Sequence, residues 1–414
     1  MPAVPGFEPS QNAPLFHNGP WPTGTTVTLP IPLLGNVNLD ATQMGLCGGM
    51  SFLTRDIFES MTPQLRNTDS TKIPVALANL IANRLVQSFD GPATVLRWLS
   101  LTALPNPDTQ FWGPGVFHQT VNECPAIRSD IDSGVLSPIG VILTGPSYWP
   151  GDVFNNHVEL VYAYELVDSQ LTLHVYDCNN EGNDDITISL DISSTTPAKV
   201  IATNGTDDPN TPGQIRGFFR LPYTHADPTP AYIDDATVFS NWWKGQMTPG
   251  SEDTATVVAV NTGSTSWTLA ADYRLGSQAP QDNTTWGTAR VELPAGQVDP
   301  QQQAQFSFPI VAPTVEGQYA FSWQMVRDPD HFFGTGIFPP ELVTVAPPGA
   351  PVVPDVTSMD VKAAEQVIID AGFRFTATET GAVDSGTVTR QSPLGGTIST
   401  AGATVHVWYA SRNE

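Results

Sequence analysis

Apolar residues recur at helical spacing through the first quarter of the chain. Met50, Leu53 and Ile57 follow one another at intervals of three and four residues, which predicts a helix. Residues 77–85 show the same spacing and predict a second helix, and residues 95–104 predict a third. This part of the chain is therefore expected to be helical.

The pattern then changes from helical spacing to runs typical of strands. Residues 157–166 (HVELVYAYEL) and 171–177 (LTLHVYD) flank the polar residues 168–170, which predicts an antiparallel hairpin. Residues 186–192 (ITISLDI) predict a further strand. Helices followed by strands indicate an α+β domain.

Two Pro-rich segments, residues 223–236 and 346–354, interrupt these patterns. Such segments act as stiff spacers, so we expect domain boundaries there. The predicted domains are residues 1–230, 237–346 and 351–414.

The second and third domains have simpler patterns than the first. Between residues 237 and 346, short apolar runs alternate with turn residues, which predicts an all-β sandwich. In the third domain, residues 360–371 predict a helix that stops at Gly372, and two strands follow, so a small α+β domain is expected. The chain is therefore multidomain.

Composition excludes several classes of function. The 414 residues include 17 Lys and Arg against 41 Asp and Glu, a net charge of −24, so a nucleic-acid partner is not expected. No apolar run is long enough to span a membrane, and the first residues do not form a signal peptide. The three cysteines are widely spaced and form no CxxC pair, so no metal site and no cofactor are expected.

Cys47 is the strongest candidate for chemistry. It lies in Gly-Leu-Cys-Gly-Gly-Met at the predicted start of a helix, where the helix dipole favours the thiolate. We expect Gly48 and Gly49 to leave room for a substrate backbone. The alternative is a buried structural cysteine.

A thiolate nucleophile needs a base, and His157 enters a predicted strand where its side chain could face a cleft. The partner strand ends at Asp177 and Asn179, and either could orient the imidazole. We favour Asp177 because a carboxylate stabilises an imidazolium more than an amide does.

Strand parity restricts this arrangement. In an antiparallel hairpin, the numbers of two directly opposed residues have a constant sum. If that sum is 336, His157 lies opposite Asn179, and Asp177 is a diagonal neighbour on the same face. A two-residue turn makes the sum 337. Asp177 and Asn179 then lie on the face of the sheet opposite to that of His157. The site therefore requires an odd-length turn or a β-bulge.

These motifs together resemble the papain-like cysteine peptidase superfamily, and most of all the peptidases that process double-glycine leader peptides. Over residues 1–230 the resemblance implies Cys47 as nucleophile, His157 as general base and Asp177 as orienter, with a peptide or protein as substrate. It also implies an oxyanion-hole glutamine about six residues before the nucleophile. Gln43, four residues before, is the candidate. Cys178 stands where these peptidases often have proline.

Other interpretations remain open. Residues 177–185 resemble the start of a calcium-binding loop, but Ile188 stands where the bidentate Glu belongs. The same fold could also carry a transamidase or deamidase. The first domain could instead be inactive within an extracellular or cell-wall binding protein.

The accessory domains have resemblances of their own. NTGSTSW and GQYAFSWQMV resemble the Ig-like domain of the autophagy receptor named for its place next to a breast-cancer gene, which also occurs in bacterial proteins. VPDVTSM and AAEQVIIDAGF resemble a PASTA domain, which implies peptidoglycan as a partner. These domains suggest an extracellular or cell-envelope location.

Overall fold

Three hydrophobic cores form along the chain, over residues 4–231, 236–345 and 353–407. The computed structural model describes all residues except 32–34, 90, 144, 147–153, 208, 243, 348, 383–385, 400 and 412–414. By contacts, the chain divides into two units. The first consists of Met1–Asp234, Asn261–Ser266 and Asp299–Gln301, and the second of Asp235–Val260, Trp267–Val298 and Gln302–Glu414.

The helices of the first unit are α1 (Pro9–Asn12), α2 (Cys47–Glu59), α3 (Val75–Ser88), α4 (Gly91–Ala103) and α5 (Val116–Asp132). The three helices predicted from apolar spacing correspond to α2, α3 and α4. Helix α5 was not predicted, because polar residues and Pro125 interrupt its apolar spacing. No helix in the described part of the chain is long and apolar enough to cross a membrane.

The strands of the first unit are β1 (Thr26–Ile31), β2 (Gly35–Asp40), β3 (Ser137–Ile142), β4 (His157–Val167), β5 (Gln170–Tyr176), β6 (Thr187–Asp191), β7 (Ile201–Thr203), β8 (Gln214–Ile215) and β9 (Gly217–Arg220). Seven of them form one sheet in the order β8-β7-β6-β5-β4-β3-β9, and β1 pairs with β2. The sheet places β4 and β5 side by side near its middle.

The hairpin of β4 and β5 has a two-residue turn and a bulge. Near the turn, Val167 pairs with Gln170, and these pair numbers sum to 337. The register shifts between Val161 and Ala163, after which Leu160 pairs with Tyr176 and the sum becomes 336. The bulge thus restores the parity that the predicted site requires.

The Pro-rich segment after β9 is not a free spacer, contrary to our expectation. The Tyr223 hydroxyl and the Ala226 N–H both donate to Asp56 on α2, at 2.6 and 2.9 Å. Ala231 is fully buried in the first core. Residues 223–234 of the segment belong to the first unit, and the boundary between the two units falls within the segment, after Asp234.

The Ig-like region consists of β10 (Ala236–Ser240), β11 (Gln246–Met247), β12 (Glu252–Asn261), β13 (Trp267–Thr268), β14 (Tyr273–Ser277), β15 (Arg290–Glu292), β16 (Gln297–Val298), β17 (Gln303–Val311), β18 (Gly317–Phe321), β19 (Trp323–Arg327), β20 (His331–Phe333) and β21 (Glu341–Val345). Its sheets have the orders β10-β12-β17, β11-β21-β18, β15-β14-β19-β20 and β13-β16. Trp267, Trp286 and Trp323 are buried in one core.

The C-terminal region contains α6 (Val361–Asp370), β22 (Arg374–Ala382), β23 (Thr387–Ser392) and β24 (Thr404–Ser411). The strands pair in the order β22-β24-β23. Asp360 caps α6 by accepting the N–H of Lys362 at 3.0 Å. The predicted helix and the two predicted strands are present, and β22 is additional.

Candidate functional site

Cys47 is the first residue of α2, as the sequence predicts. The Met50 N–H is bonded to the Leu46 carbonyl at 3.0 Å, and the N–H groups of the residues before Met50 have no acceptor within the helix. The Cys47 side chain is only 8 % exposed. The thiol therefore lies at the positive end of the helix dipole, largely shielded from water.

Gly48 and Gly49 have a different role from the one expected. A Cβ atom on Gly48 would lie 2.5 Å from Ser88 Oγ, and one on Gly49 would lie 1.9 Å from the Ile81 carbonyl oxygen. Both glycines therefore allow α3 to pack closely against α2, and they leave no room for a substrate. Gly45, by contrast, is exposed and lines a cleft.

His157 and Asp177 meet across the β4–β5 hairpin, at the place that strand parity requires. Nε2 of His157 lies 2.7 Å from Oδ1 of Asp177. The carboxylate also accepts the backbone N–H groups of Asn179 and Thr206, at 2.9 and 3.0 Å. The Asn179 N–H donates to Oδ1, whereas the Thr206 N–H donates to Oδ2, which also accepts the Asn180 amide and the Thr206 hydroxyl at 2.7 and 2.9 Å. Four hydrogen bonds from other groups thus hold one ionised carboxylate against the imidazole.

The charges of these groups depend on one another. Burial lowers the pKa of His157, but the charges of Asp177 and Cys47 raise it by more, so that it lies well above its ordinary value. Burial raises the pKa of the Asp177 carboxyl, whereas His157 and the neighbouring donors lower it well below its usual range. Cys47 is therefore near enough to the imidazole to contribute to the rise in the pKa of His157.

Asn179 does not orient His157. Its side-chain oxygen accepts from Asn18 at 3.0 Å, and its amide nitrogen donates to Thr206 Oγ1 at 2.9 Å. Glu181, a ligand in the calcium alternative, pairs instead with His17 at 3.1 Å. These contacts assign the oxygens of the loop to hydrogen bonds within the protein, which disfavours the calcium interpretation.

Asn18 is a site residue that the sequence analysis missed. Its Oδ1 accepts the Leu46 N–H at 2.6 Å, and its Nδ2 donates to Asn179 Oδ1. Its own N–H donates to the Cys178 carbonyl at 3.2 Å. Asn18 thus connects the residue before the nucleophile with the loop after Asp177. No local motif distinguishes it in the sequence.

Glu159 was also missed. Two residues after His157 on β4, it shares a strand face with the imidazole and is completely buried. Neither carboxyl oxygen has a hydrogen-bond partner among the described residues. Burial and the charge of Asp177 raise the pKa of Glu159 well above its usual range, so this acid stays protonated.

Cys178 is fully buried, although its loop looks exposed in the sequence. Burial and the neighbouring charge of Cys47 raise the pKa of its thiol well above the ordinary value. Ligand atoms of Cys178, His157 and Asp177 lie within 4.8 Å of one another, which a metal ion could exploit. The five donors that already surround Asp177 fit an orienting carboxylate better than a metal ligand.

A cleft of about 330 Å³ has Cys47 in its wall. The lining includes Gln43 and Gly45, which precede Cys47 in the sequence. It also includes Asn155 and Asn156, which precede His157. Asn156 is held in place, because its side chain accepts the Leu143 N–H and donates to Thr102. The exposed side chain of Gln43 remains the candidate for an oxyanion contact.

The apolar part of the lining consists of Met44, Leu85, Phe89, Trp98, Phe154 and Val158. Phe89 and Phe154 meet edge to face, with ring centroids 6.5 Å apart. None of the described residues that line the cleft carries a charge. The Cys47 thiol thus lies in a cleft whose walls combine apolar side chains, three of them aromatic, with uncharged polar groups.

Comparisons with known proteins identify the accessory domains. No curated protein matches this chain. A solved structure described as "AvmM Catalyzes Macrocyclization in Alchivemycin A Biosynthesis" is similar over 28 % of this chain and 90 % of that chain, with 8 % identity and a TM-score of 0.20. A likeness at that score carries no argument about fold or chemistry. Residues 244–339 match the model of the Ig-like domain from next to BRCA1 gene, and residues 351–411 match the model of the PASTA domain.

Proposed function

We propose that the first domain is a papain-like cysteine peptidase, with Cys47 as nucleophile, His157 as general base and Asp177 as orienter. The observation that carries this proposal is the buried contact between His157 and Asp177, with Cys47 near enough to the imidazole to influence its pKa. A nucleophile, a base and an orienting group in line are the arrangement that nucleophilic catalysis needs.

The first chemical step follows from the proposed roles. His157, as general base, takes the thiol proton, and the Cys47 sulfur attacks the substrate carbonyl. The sulfur forms a bond to the carbonyl carbon, and the C=O electron pair moves to oxygen. When that pair returns, the C–N bond breaks and the imidazolium gives its proton to the leaving amine. Water, deprotonated by His157, then hydrolyses the thioester.

The oxyanion would be stabilised at the N-terminus of α2. The N–H of Cys47 is one donor, and the Gln43 amide, exposed on the cleft wall, would be the other. This assignment predicts that Gln43→Glu lowers kcat, because a carboxylate would repel the developing charge.

Thiol reactivity tests the proposal directly. Iodoacetamide at neutral pH is expected to label Cys47 before Cys124 and Cys178, because burial raises the pKa of Cys124 to about 12 and that of Cys178 well above its ordinary value. Peptide mapping by mass spectrometry would give the order, and Cys47→Ala is the control for any peptide cleavage. Labelling of Cys178 first would contradict the assignment of the nucleophile.

The same residues could serve a transamidase or deamidase, since these share the thioester intermediate and differ in what resolves it. Product analysis separates them: a new peptide amine indicates hydrolysis, a new amide bond transamidation, and released ammonia deamidation. An unreactive Cys47 would favour the binding-protein alternative.

The match to the PASTA family supports peptidoglycan as a second partner, contacted by residues 351–411. We expect the full chain to sediment with insoluble peptidoglycan and soluble peptidoglycan fragments to reverse this. If the chain stays in the supernatant, the PASTA domain does not bind peptidoglycan and serves as a spacer.

A further inference from the structure

The size and walls of the cleft beside Cys47 restrict the substrate. The sequence resemblance favours peptides with paired glycines, yet the cavity of about 330 Å³ could hold about ten water molecules. A glycine, with no side chain, would leave most of that volume filled with water, part of it against the three aromatic rings of the lining. The cavity has the size of a pocket for a bulky group.

The chemistry of the lining indicates which group. Leu85 and Trp98 are largely buried beneath the cleft, while Phe154 is exposed and packs its ring edge to face against Phe89. Aromatic walls gain most from a flat apolar partner that displaces water from them.

Charged side chains are disfavoured for two reasons. No described lining residue could pair with a charge, so a charged group would lose its hydration without compensation. A carboxylate would in addition approach a chain of net charge −24.

We propose that the cleft beside Cys47 binds a bulky, uncharged apolar side chain of the substrate, aromatic by preference, next to the amide that Cys47 attacks. The inference rests on the proposed thiol function and specifies its substrate. It departs from the double-glycine class that the resemblance implies.

Covalent probes can measure this preference without turnover. The probes are N-acetyl chloromethyl ketones of glycine, phenylalanine and glutamate, in which the Cys47 sulfur displaces chloride from the methylene carbon. Each rate of labelling of the full chain is divided by the rate with free cysteine. The corrected rate for phenylalanine is expected to exceed that for glycine at least about tenfold, with glutamate slowest.

Two variants of the protein, each lacking one phenylalanine ring, test whether the preference arises in the cleft. Phe154→Ala removes an exposed ring from the cleft and is expected to reduce the phenylalanine-to-glycine ratio at least threefold. Phe111→Ala removes a ring that is 84 % exposed and lies outside the cleft lining, and it is expected to leave the ratio unchanged.

The outcomes separate the two proposals. A wild-type ratio below about ten, a fastest rate with glutamate, or equal losses in the two variants would overturn the apolar preference. If the phenylalanine-to-glycine ratio of labelling rates is tenfold but the protein hydrolyses no peptide, the apolar preference stands and the proposed peptidase function is wrong.

Discussion

Two of the histidine–carboxylate pairs in the first unit have similar N–O distances and very different surroundings. His157 lies 2.7 Å from Asp177, and His118 lies 2.9 Å from Asp108. The first pair has side chains 4 % and 0 % exposed, whereas the second has side chains 25 % and 29 % exposed. Distance alone therefore does not distinguish a buried pair from a surface contact.

The two pairs differ in how far they are exposed to water. Asp108, which is exposed to water, has its pKa lowered to about 2 by hydrogen bonds, first from His118 and then from the Gly115 N–H and the Thr196 hydroxyl. Water screens such a pair, which then contributes little. His157 and Asp177 interact through protein rather than water, which screens their charges much less.

Replacing the two histidines is expected to give the largest contrast. His157→Gln should lower kcat/KM by about 10⁴-fold or more, because the base that activates the thiol is lost. His118→Gln removes a similar contact from the surface and should leave kcat/KM unchanged. Peptide hydrolysis by each variant is the measurement. Comparable losses in both would mean that the buried pair has no special role.

Replacing Asp177 and Asp108 should give the same contrast, with a smaller effect on kcat. Asp177→Asn keeps the shape but removes the charge, and kcat should fall by about 10²–10⁴-fold. Asp108→Asn should leave it unchanged, and Asn179→Ala should only weaken turnover. Thermal unfolding of each variant separates lost chemistry from lost structure. A fully active Asp177→Asn would refute the orienting role.

Asn18 should have a smaller effect on the same site. Asn18→Ala loses both the Leu46 and the Asn179 contacts and should slow iodoacetamide labelling of Cys47 by about tenfold, since small displacements of a reacting group are costly. Asn18→Asp keeps the acceptor for the Leu46 N–H and should recover part of the rate. If both variants labelled at the wild-type rate, Asn18 would have no positioning role.

Glu159→Gln should have the smallest effect on turnover near neutral pH, because the protonated acid and the amide are both neutral. It should change the free energy of unfolding instead. In the unfolded chain Glu159 loses its proton above a pH of about 4.3, whereas the folded protein, with its raised pKa, keeps it. Wild-type stability should therefore fall relative to the variant by about 1.4 kcal/mol per pH unit above that value.

Urea unfolding of wild type and Glu159→Gln at several pH values would measure this difference. A constant difference across pH 5–8 would mean that Glu159 is ionised in the folded protein.

The sequence predicted the parts of the site that depend on short-range pattern. The helix that starts at Cys47 follows from apolar spacing, and the hairpin between His157 and Asp177 follows from two strand-like runs around a polar turn. The contact of Asp177 with His157 was predicted from strand parity on condition of a bulge, which is present.

The parts that were missed depend on contacts between distant segments. Asn18 reaches Leu46 and Asn179 from an N-terminal segment without periodicity. The glycines after Cys47 are explained by α3, which local spacing cannot place against α2. Glu159 continues an ordinary strand pattern, and only its burial without a partner makes it unusual.

The bulge between Val161 and Ala163 has a consequence for how the gene can change. Because side chains alternate along a strand, deleting one residue there would turn His157 away from Asp177 while leaving both residues in the chain. Adding one residue to the turn after Val167 would turn it back. Insertions and deletions between the two residues should therefore survive only as compensating pairs, and a selection for revertants of a one-residue deletion should recover an insertion in the turn.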